Sequence, residues 1–223
     1  MPNWVVNKVQ TNTDEDFIKL LNKTTSLIPG SIETVYYKDN CVSVPDLTYM
    51  DFNNIIPTPG YIYTGLLGRN EKNVYTKNNC WYKWNLDNWG CKWNATNATL
   101  DTKNRIVYFN TPWNGVPALM GILSQNINIP LEYTYANEDA GVCTGRFKFN
   151  NGRVESYNEY DNCSKDAFQT YLELWGDENG RLCVGMYNDG NYDIFEQPLR
   201  YRNPLYKVYK GNRIPSKVSI FEF

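Results

Sequence analysis

The stretch RIVYFNTPWNGVPALMGILSQNINIPLEYTY, residues 105–135, decides the fold. Its first part, residues 105–110, is an apolar run that predicts a strand. The next part has Pro117 near its start and apolar residues at helical spacing, which predicts a helix. Those apolar residues are Val116, Leu119, Met120 and Leu123. Apolar residues then alternate with polar ones as in a half-buried strand, at Leu131, Tyr133 and Tyr135. The stretch is therefore a strand–helix–strand unit.

A similar unit is predicted upstream. Residues 3–11 alternate and predict a first strand, and Thr13 is placed to cap a helix with three acidic residues in its first turn, ending at Pro29-Gly30. Residues 48–56 predict the next strand. The order strand, helix, strand, strand, helix, strand is the βαββαβ unit of ferredoxin-like folds. The predicted fold class is therefore α+β, with an insertion between the two middle strands.

Two parts of the chain, an insertion and a C-terminal segment, do not belong to the βαββαβ unit. We expect a ferredoxin-like domain over residues 1–155, with an aromatic-rich insertion at about 60–104. Residues 156–223 are expected to form a C-terminal α/β extension packed on the core. Asn151-Gly152 predicts a hairpin turn, residues 165–175 a helix that ends at Gly176, and residues 182–186 a strand followed by a turn at Asp189-Gly190. Residues 218–223 predict a last strand.

The 223 residues include no histidine. A Ser-His-Asp or Cys-His nucleophile cannot form in one such chain, and neither can a metal site with histidine ligands. Gly65-Leu66-Leu67-Gly68-Arg69 lacks the Gly-Lys-Ser/Thr of a phosphate-binding loop. We therefore assign no catalytic residue, no metal and no cofactor, and expect a protein that is not an enzyme.

Two observations bear on the compartment. The sequence has no apolar run of 18 residues and no basic-then-apolar leader at its start, so neither a membrane span nor a signal peptide is expected. The six cysteines include no C-x-x-C pair, which favours reduced thiols over three disulfides. We therefore expect the protein in the cytoplasm of a bacterial host cell.

Charge is segregated along the chain. Residues 132–196 hold five basic and thirteen acidic side chains, and residues 197–223 hold six basic and one acidic. An acidic face could steer the protein toward a basic groove of a partner. The alternative is a solvated surface that keeps the protein soluble. The candidate acidic face consists of Glu138, Asp139, Glu155, Glu159 and Asp161.

The segment 75–93 is rich in aromatic residues and lysine. Trp and Tyr give large contact areas with few rotatable bonds, so such a segment is suited to anchoring a partner or stacking on bases. The alternative is that the rings pack the insertion onto the sheet, a role that we expect for Trp89 and Trp93. The candidate partner-binding residues are Tyr75, Lys77, Trp81, Tyr82, Lys83, Trp84 and Lys92.

Four short motifs occur in register along residues 1–155. They are Met1-Pro2-Asn3-Trp4 with Asn7, Phe52-Asn53-Asn54-Ile55-Ile56-Pro57-Thr58-Pro59, Trp89-Gly90-Cys91-Lys92-Trp93-Asn94-Ala95 and Phe109-Asn110-Thr111-Pro112-Trp113-Asn114. In this order they resemble the YubB-like ferredoxin-fold family of plasmid and phage accessory proteins. The chain departs from that family's pattern at Cys91, where threonine is usual, and at Asn114-Gly115, where proline is usual. The resemblance implies a ferredoxin-like fold and a mobile-element origin, and it supplies no catalytic residues.

Four functions remain open. The first is an anti-defence protein that inhibits a host defence complex, such as a CRISPR-Cas effector, by binding a protein or ribonucleoprotein. The second is a module that binds single-stranded nucleic acid or a nucleotide, and the third is a carboxylate-based enzyme that modifies a host factor. The fourth is an assembly component of a phage particle.

Overall fold

The computed structural model describes residues 2–37, 40–66, 68, 79–176, 182–186 and 192–196, with side chains over 2–28, 46–66, 68 and 79–176. These ranges contain ten strands and five helices. The strands are β1 Trp4–Gln10, β2 Ser26–Tyr37, β3 Asn40–Thr48, β4 Thr96–Asp101, β5 Ile106–Pro112, β6 Pro130–Asn137, β7 Thr144–Asn150, β8 Arg153–Glu159, β9 Leu182–Met186 and β10 Tyr192–Glu196. The helices are α1 Asp14–Thr24, α2 Phe52–Ile55, α3 Trp81–Trp89, α4 Pro117–Ile127 and α5 Lys165–Trp175.

Six strands form one antiparallel sheet in the order β4-β5-β1-β6-β7-β8. Strand β1 lies between β5 and β6, which α4 connects, and β4 lies outside β5. The path β1-α1-β4-β5-α4-β6 therefore gives the ferredoxin-like strand order 4-1-3-2, which confirms the predicted fold class. Strands β7 and β8 extend the sheet beyond β6.

The second strand of this unit is not the predicted one. Residues 48–56 were expected to be a strand, but Asp51 accepts a hydrogen bond from the Asn53 amide at 2.9 Å and residues 52–55 form the helix α2. Strand β4 takes the place of the second strand beside β5. The segment between α1 and β4 thus spans residues 25–95 and precedes the two middle strands instead of separating them.

Helix α1 begins as predicted, with the Thr13 hydroxyl accepting the Asp16 amide at 3.1 Å. It ends at Thr24, earlier than predicted, because the Thr24 hydroxyl donates to the carbonyl of Tyr49 at 2.9 Å and the Asp51 amide donates to the Thr24 carbonyl at 2.8 Å. These bonds turn the chain into the hairpin of β2 and β3.

Helix α5 and strand β9 have the predicted bounds, and β7 and β8 meet at the predicted turn. Residues 189–190 and 218–223 lie outside the described residues. The division of the chain at residue 155 stays a prediction.

Helices cover both faces of the sheet. Val5, Asn7 and Val9 of β1 are buried on one face, where α1 and α4 contribute much of the apolar core. The side chain of Lys8 points to the other face of β1, because side chains alternate along a strand. It forms an ion pair with Glu173 of α5 at 2.9 Å, which places α5 on that face. Burying each large core side chain removes apolar area from water, worth about 1.5–3 kcal/mol.

A polar network lies inside this core. The Asn7 amide nitrogen donates to the Thr111 hydroxyl at 2.8 Å and to the carbonyls of Val5 and Phe109 at 2.9 and 3.2 Å. Its oxygen accepts from the Tyr133 hydroxyl at 2.5 Å, and that hydroxyl in turn accepts from the Val116 amide at 2.6 Å. The network therefore joins β1, β5, β6 and the start of α4.

We predict that Asn7→Leu destabilises the protein by about 2–4 kcal/mol, because the buried Tyr133 hydroxyl and Thr111 hydroxyl each lose a partner. Tyr133→Phe removes one member only and should cost about 1–2 kcal/mol. Urea unfolding measures both changes. Losses below about 0.5 kcal/mol for Asn7→Leu would show that the network does not hold the strands together.

Candidate functional site

Four aromatic rings and a lysine meet at one end of β1. They form the aromatic–lysine patch, which we define as Trp4, Tyr82, Lys92, Trp93 and Trp113. Three of the rings are well exposed, Tyr82 at 43%, Trp113 at 41% and Trp93 at 36%. Large exposed rings are costly to leave in water, so a group of them marks a candidate interaction site.

The patch is organised around Lys92. Its ammonium lies 4.6 Å from the ring centre of Trp93, 5.4 Å from that of Trp113 and 5.7 Å from that of Tyr82. The ring centres of Trp93 and Trp113 are 5.8 Å apart, and Trp4 is 6.4 Å from Trp93. Cation–π contacts of this kind are worth about 0.5–1 kcal/mol each at exposed sites. In the described part of the chain no carboxylate is ion-paired with Lys92.

Trp113 is held by a tight turn between β5 and α4. Its φ of 66° lies in the left-handed region that tryptophan rarely adopts. The Trp113 amide donates to the carbonyl of Asn3 at 2.8 Å, and the Thr111 hydroxyl donates to that of Asn114 at 2.7 Å. A Cβ at Gly115 would lie 2.5 Å from the Tyr135 ring, so the turn needs glycine there. The surrounding structure thus fixes the backbone of Trp113.

Hydrogen bonds from α3 and the loop that follows it hold the backbone of Lys92 and Trp93. The Lys92 carbonyl accepts from the Asn85 amide nitrogen at 2.8 Å, and the Trp93 carbonyl accepts from the Cys91 thiol at 3.1 Å. The side chain of Asn94 accepts from the Phe52 amide at 2.8 Å and donates to Asp51 at 2.7 Å. The four motifs noted in the sequence therefore converge on the patch and its supports.

A cleft of about 370 Å³ borders the patch at Trp93. Its walls combine indole rings with polar side chains: Thr58, Thr64, Trp81, Asn85, Trp89, Trp93 and Asn94. Rings and amides together suit a flat polar group or an aromatic side chain of a partner.

The partner-binding residues predicted from the sequence divide into three groups. Tyr82 and Lys92 belong to the patch. Trp81 lines the cleft and donates from its indole to the Gly65 carbonyl at 3.1 Å, and Lys83 is exposed and ion-paired with Asp87. Tyr75 and Lys77 lie outside the described residues.

Trp84 has a different environment from the other predicted residues. It is half-buried, packs against the core, and meets the Trp89 ring edge-on at 5.3 Å. Trp89 is buried, as expected for a structural residue, whereas Trp93 is exposed in the patch. Sequence reasoning did not select Trp4 or Trp113. Their presence in two of the four motifs was the signal that could have found them.

The predicted acidic residues are all exposed but do not form one compact group. Glu155 and Glu159 lie on β8, where they accept hydrogen bonds from Asn150 at 2.8 Å and from the Tyr135 hydroxyl at 3.2 Å. Asp139 follows β6 and accepts from Asn3 at 2.7 Å, so it lies near the patch. Glu138 and Asp161 are on loops. Over the described residues, no group of acidic and cysteine side chains is arranged to hold a metal ion.

Three ionisable groups near the patch, Cys91, Tyr133 and Tyr135, have pKa values shifted by burial. Burial raises the pKa of the Cys91 thiol to about 12, although the hydrogen bond to Trp93 opposes this shift. Burial also raises the pKa values of Tyr133 and Tyr135. With their pKa values raised in this way, the three groups are protonated and neutral near pH 7.

None of the helices in the described ranges is long and apolar enough to cross a lipid bilayer.

A match to a family model supports the fold. Residues 88–176 match a family model described as a ferredoxin-like domain in Api92-like protein. The matched range includes Lys92, Trp93 and Trp113 of the patch. The crystal structure of protein api92 from Yersinia pseudotuberculosis is 21% identical to this chain with a TM-score of 0.40, and the alignment covers 50% of this chain and 39% of that one. No curated protein matches.

We predict that Trp84→Ala lowers the free energy of unfolding by about 2–3 kcal/mol, because it leaves a cavity against Trp89 and the core. Tyr82→Ala removes a 43% exposed ring and should change stability by less than about 1 kcal/mol. Chemical denaturation compares the two variants. Equal losses would contradict the assignment of Trp84 to the core and Tyr82 to the surface.

We also predict a specific dependence of stability on pH. The raised pKa of Cys91 in the folded state means that its stabilising contribution is complete below the ordinary value of 9.0 and is lost as pH rises toward about 12. One such group changes stability by about 1.4 kcal/mol per pH unit in that window. Between pH 6 and 8 stability should be nearly constant, because the chain has no histidine. Urea unfolding of wild type and Cys91→Ala at pH 7, 9 and 10 tests this: the slope above pH 9 should be smaller in the variant, and equal slopes would refute the assignment.

Proposed function

We propose that this protein is a non-catalytic binding protein that docks on a protein partner through the aromatic–lysine patch. The observation that carries the proposal is the group of exposed rings around Lys92, whose ammonium has no ion-paired carboxylate in the described part of the chain. Tryptophan and tyrosine are enriched among the residues that dominate binding energy at protein interfaces.

The rigidity of the patch supports this function. Trp113 is fixed by the turn before α4. Trp93 is fixed by the hydrogen bond from the Cys91 thiol to its carbonyl and by the hydrogen bonds of its neighbours Lys92 and Asn94. Rings held in place before binding lose little conformational entropy when a partner covers them. The cleft beside Trp93 gives the partner a concave surface to fill.

For the partner, we propose a host defence complex such as a CRISPR-Cas effector, reached in the bacterial cytoplasm. The support is the resemblance to YubB-like accessory proteins of plasmids and phages, whose mobile elements benefit from blocking such complexes. Binding would inhibit by occlusion, with the rings supplying affinity. The acidic residues, among them Asp139 near the patch, would supply orientation and a faster association rate.

A second candidate function is the binding of single-stranded nucleic acid. Rings that bases can stack on, next to a cation that can meet phosphate, are the parts of such a site. The overall charge of −2 and the sequence pI of about 5.3 disfavour it. Binding through phosphate would weaken steeply as salt rises, which separates it from docking through the rings. The enzyme hypothesis gains no supporting observation from the described residues.

We predict that Trp113→Asn abolishes capture of the partner from host cells and leaves the fold intact, because asparagine tolerates the positive φ at this position. Removing a central ring should weaken binding at least about 30-fold, the effect of about 2 kcal/mol. The measurement is affinity capture with quantitative mass spectrometry on wild type, Trp113→Asn and Trp93→Ala.

The matched control is Ile18→Ser, which removes an apolar side chain that is 58% exposed on α1. Proteins captured by wild type and by Ile18→Ser, but by neither patch variant, are the expected result. A set of captured proteins that is the same for all four chains would contradict the proposal. Oligonucleotide capture that disappears with salt and with Trp113→Asn would replace it by the second candidate.

A further inference from the structure

A second surface, independent of the proposed function, lies at the β8 edge of the sheet. All seven residues of β8 are exposed, and among the described strands β7 alone pairs with it. An apolar cleft of about 370 Å³ runs between this edge and the start of α4. The cleft is lined by Pro117, Ala118, Phe147, Phe149, Val154, Tyr157 and Glu159. An exposed strand edge beside an apolar cleft is a surface to which another strand can add.

A row of rings crosses the sheet and ends at this edge. Tyr133, Phe147 and Tyr157 lie directly opposite one another on β6, β7 and β8. The ring centres of Tyr133 and Phe147 are 6.4 Å apart, and those of Phe147 and Tyr157 are 5.8 Å apart. Tyr133 is fully buried, whereas Tyr157 is 63% exposed. A further ring opposite Tyr157 would continue the row and shield that ring from water.

The two faces of β8 differ, which limits the strands that can pair with it. Val154, Tyr157 and Glu159 line the cleft on one face. Ser156 and Asn158 flank Tyr157 and point to the other face, because side chains alternate along a strand. Residues opposite each other in neighbouring strands share a face. An added strand must therefore present an apolar side chain between two polar ones, which is the pattern of β8 itself.

The charges of β8 also favour a second copy of the same strand in the antiparallel direction. The strand begins with Arg153 and ends with Glu159. Antiparallel pairing of two such strands brings the Arg153 end of each beside the Glu159 end of the other, so unlike charges meet at both ends. Parallel pairing would bring like charges together.

The remaining acidic residue of the strand, Glu155, does not obstruct this pairing. It is the extra residue of a bulge, because the residues on either side of it pair with consecutive residues of β7. Its carboxylate accepts a hydrogen bond from Asn150 at 2.8 Å, and that of Glu159 accepts one from the Tyr135 hydroxyl at 3.2 Å. Donors of the same chain therefore hold both carboxylates.

We propose that two copies of this chain form a two-fold symmetric dimer by pairing their β8 strands antiparallel, with Tyr157 opposite Tyr157 of the second copy. In this register Ser156 lies opposite Asn158 of the second copy on one face. Across the bulge, Val154 lies opposite Glu159 of the second copy on the cleft face. The pairing joins the two six-stranded sheets into one and makes the row of rings continuous between the copies.

Sedimentation equilibrium of the full chain, from low to high micromolar concentration, tests this proposal. Wild type should pass from monomer to dimer as its concentration rises. Tyr157→Lys removes the ring and sets two ammonium groups opposite each other at the two-fold axis, so it should weaken the dimer at least about tenfold. The matched control is Ile18→Lys, which adds the same charge at a 58% exposed site on α1 and should leave the dimer unchanged.

A pair of variants at one position tests the register. Val154 is 50% exposed, so Val154→Lys and Val154→Glu should both fold, which circular dichroism checks. Each new side chain lies opposite Glu159 of the second copy. The lysine variant should therefore dimerise at least about fivefold more tightly than the glutamate variant.

Three results would overturn the proposal. The first is a wild-type chain that stays monomeric at the highest concentration. The second is a dimer that Tyr157→Lys and Ile18→Lys weaken equally, or that both Val154 variants form with equal affinity. The third is loss of the dimer in Trp113→Asn, because the dimer would then form through the aromatic–lysine patch. Dimerisation of Trp113→Asn with the affinity of wild type is the expected result, whatever that variant does to capture of a host protein.

Discussion

The side chain of Asn7 imposes the central constraint on this structure. It lies fully buried in the middle strand of the sheet and makes four hydrogen bonds within the core. A buried amide is tolerated only when its donors and acceptor are satisfied. Its partners on β5 and β6 meet it only in one register of the three strands, Asn7 opposite Phe109 and Tyr135. The network therefore stabilises the register of the three strands at the centre of the ferredoxin-like unit.

The same network connects the core to the surface. Thr111 accepts from Asn7 and donates to the turn that carries Trp113, and the Tyr133 hydroxyl accepts from the amide at the start of α4. Hydrogen bonds that run from the buried Asn7 to the turn thus help to set the position of Trp113 beside Lys92 and Trp93. Rings held in place before binding are what the proposed docking function requires.

Local signals in the sequence were sufficient for much of the fold. The Thr13 cap, the apolar face of α5 and the apolar run of β5 each predicted their element because neighbouring residues decide it. Strand β4 could not be predicted, because its sequence, Thr-Asn-Ala-Thr-Leu-Asp, is mostly polar. The strand forms because it pairs with β5. The sequence predicts a strand where helix α2 forms, because a four-residue helix depends on the Asp51 cap and on the burial of Phe52 and Ile55.

Only part of the candidate site could be predicted, because distant parts of the chain come together to form it. The aromatic segment indicated Tyr82 and Lys92, but the other rings come from the start of β1, the end of β5 and the loop after α3. Only the register of β1 and β5 brings Trp4 and Trp113 near Trp93. Trp84 is the opposite case. The aromatic segment around it predicted a role at the surface, but its side chain packs against the core.

The most direct test of the aromatic–lysine patch as a docking surface is a structure, determined by electron cryomicroscopy, of the full chain bound to the protein that it captures from host cells. If the aromatic–lysine patch is the docking surface, Trp93, Trp113 and Lys92 are buried at the interface and the register of β1, β5 and β6 is unchanged. A complex in which these three residues still face solvent would contradict the proposed docking surface, because the patch would then have no part in recognition.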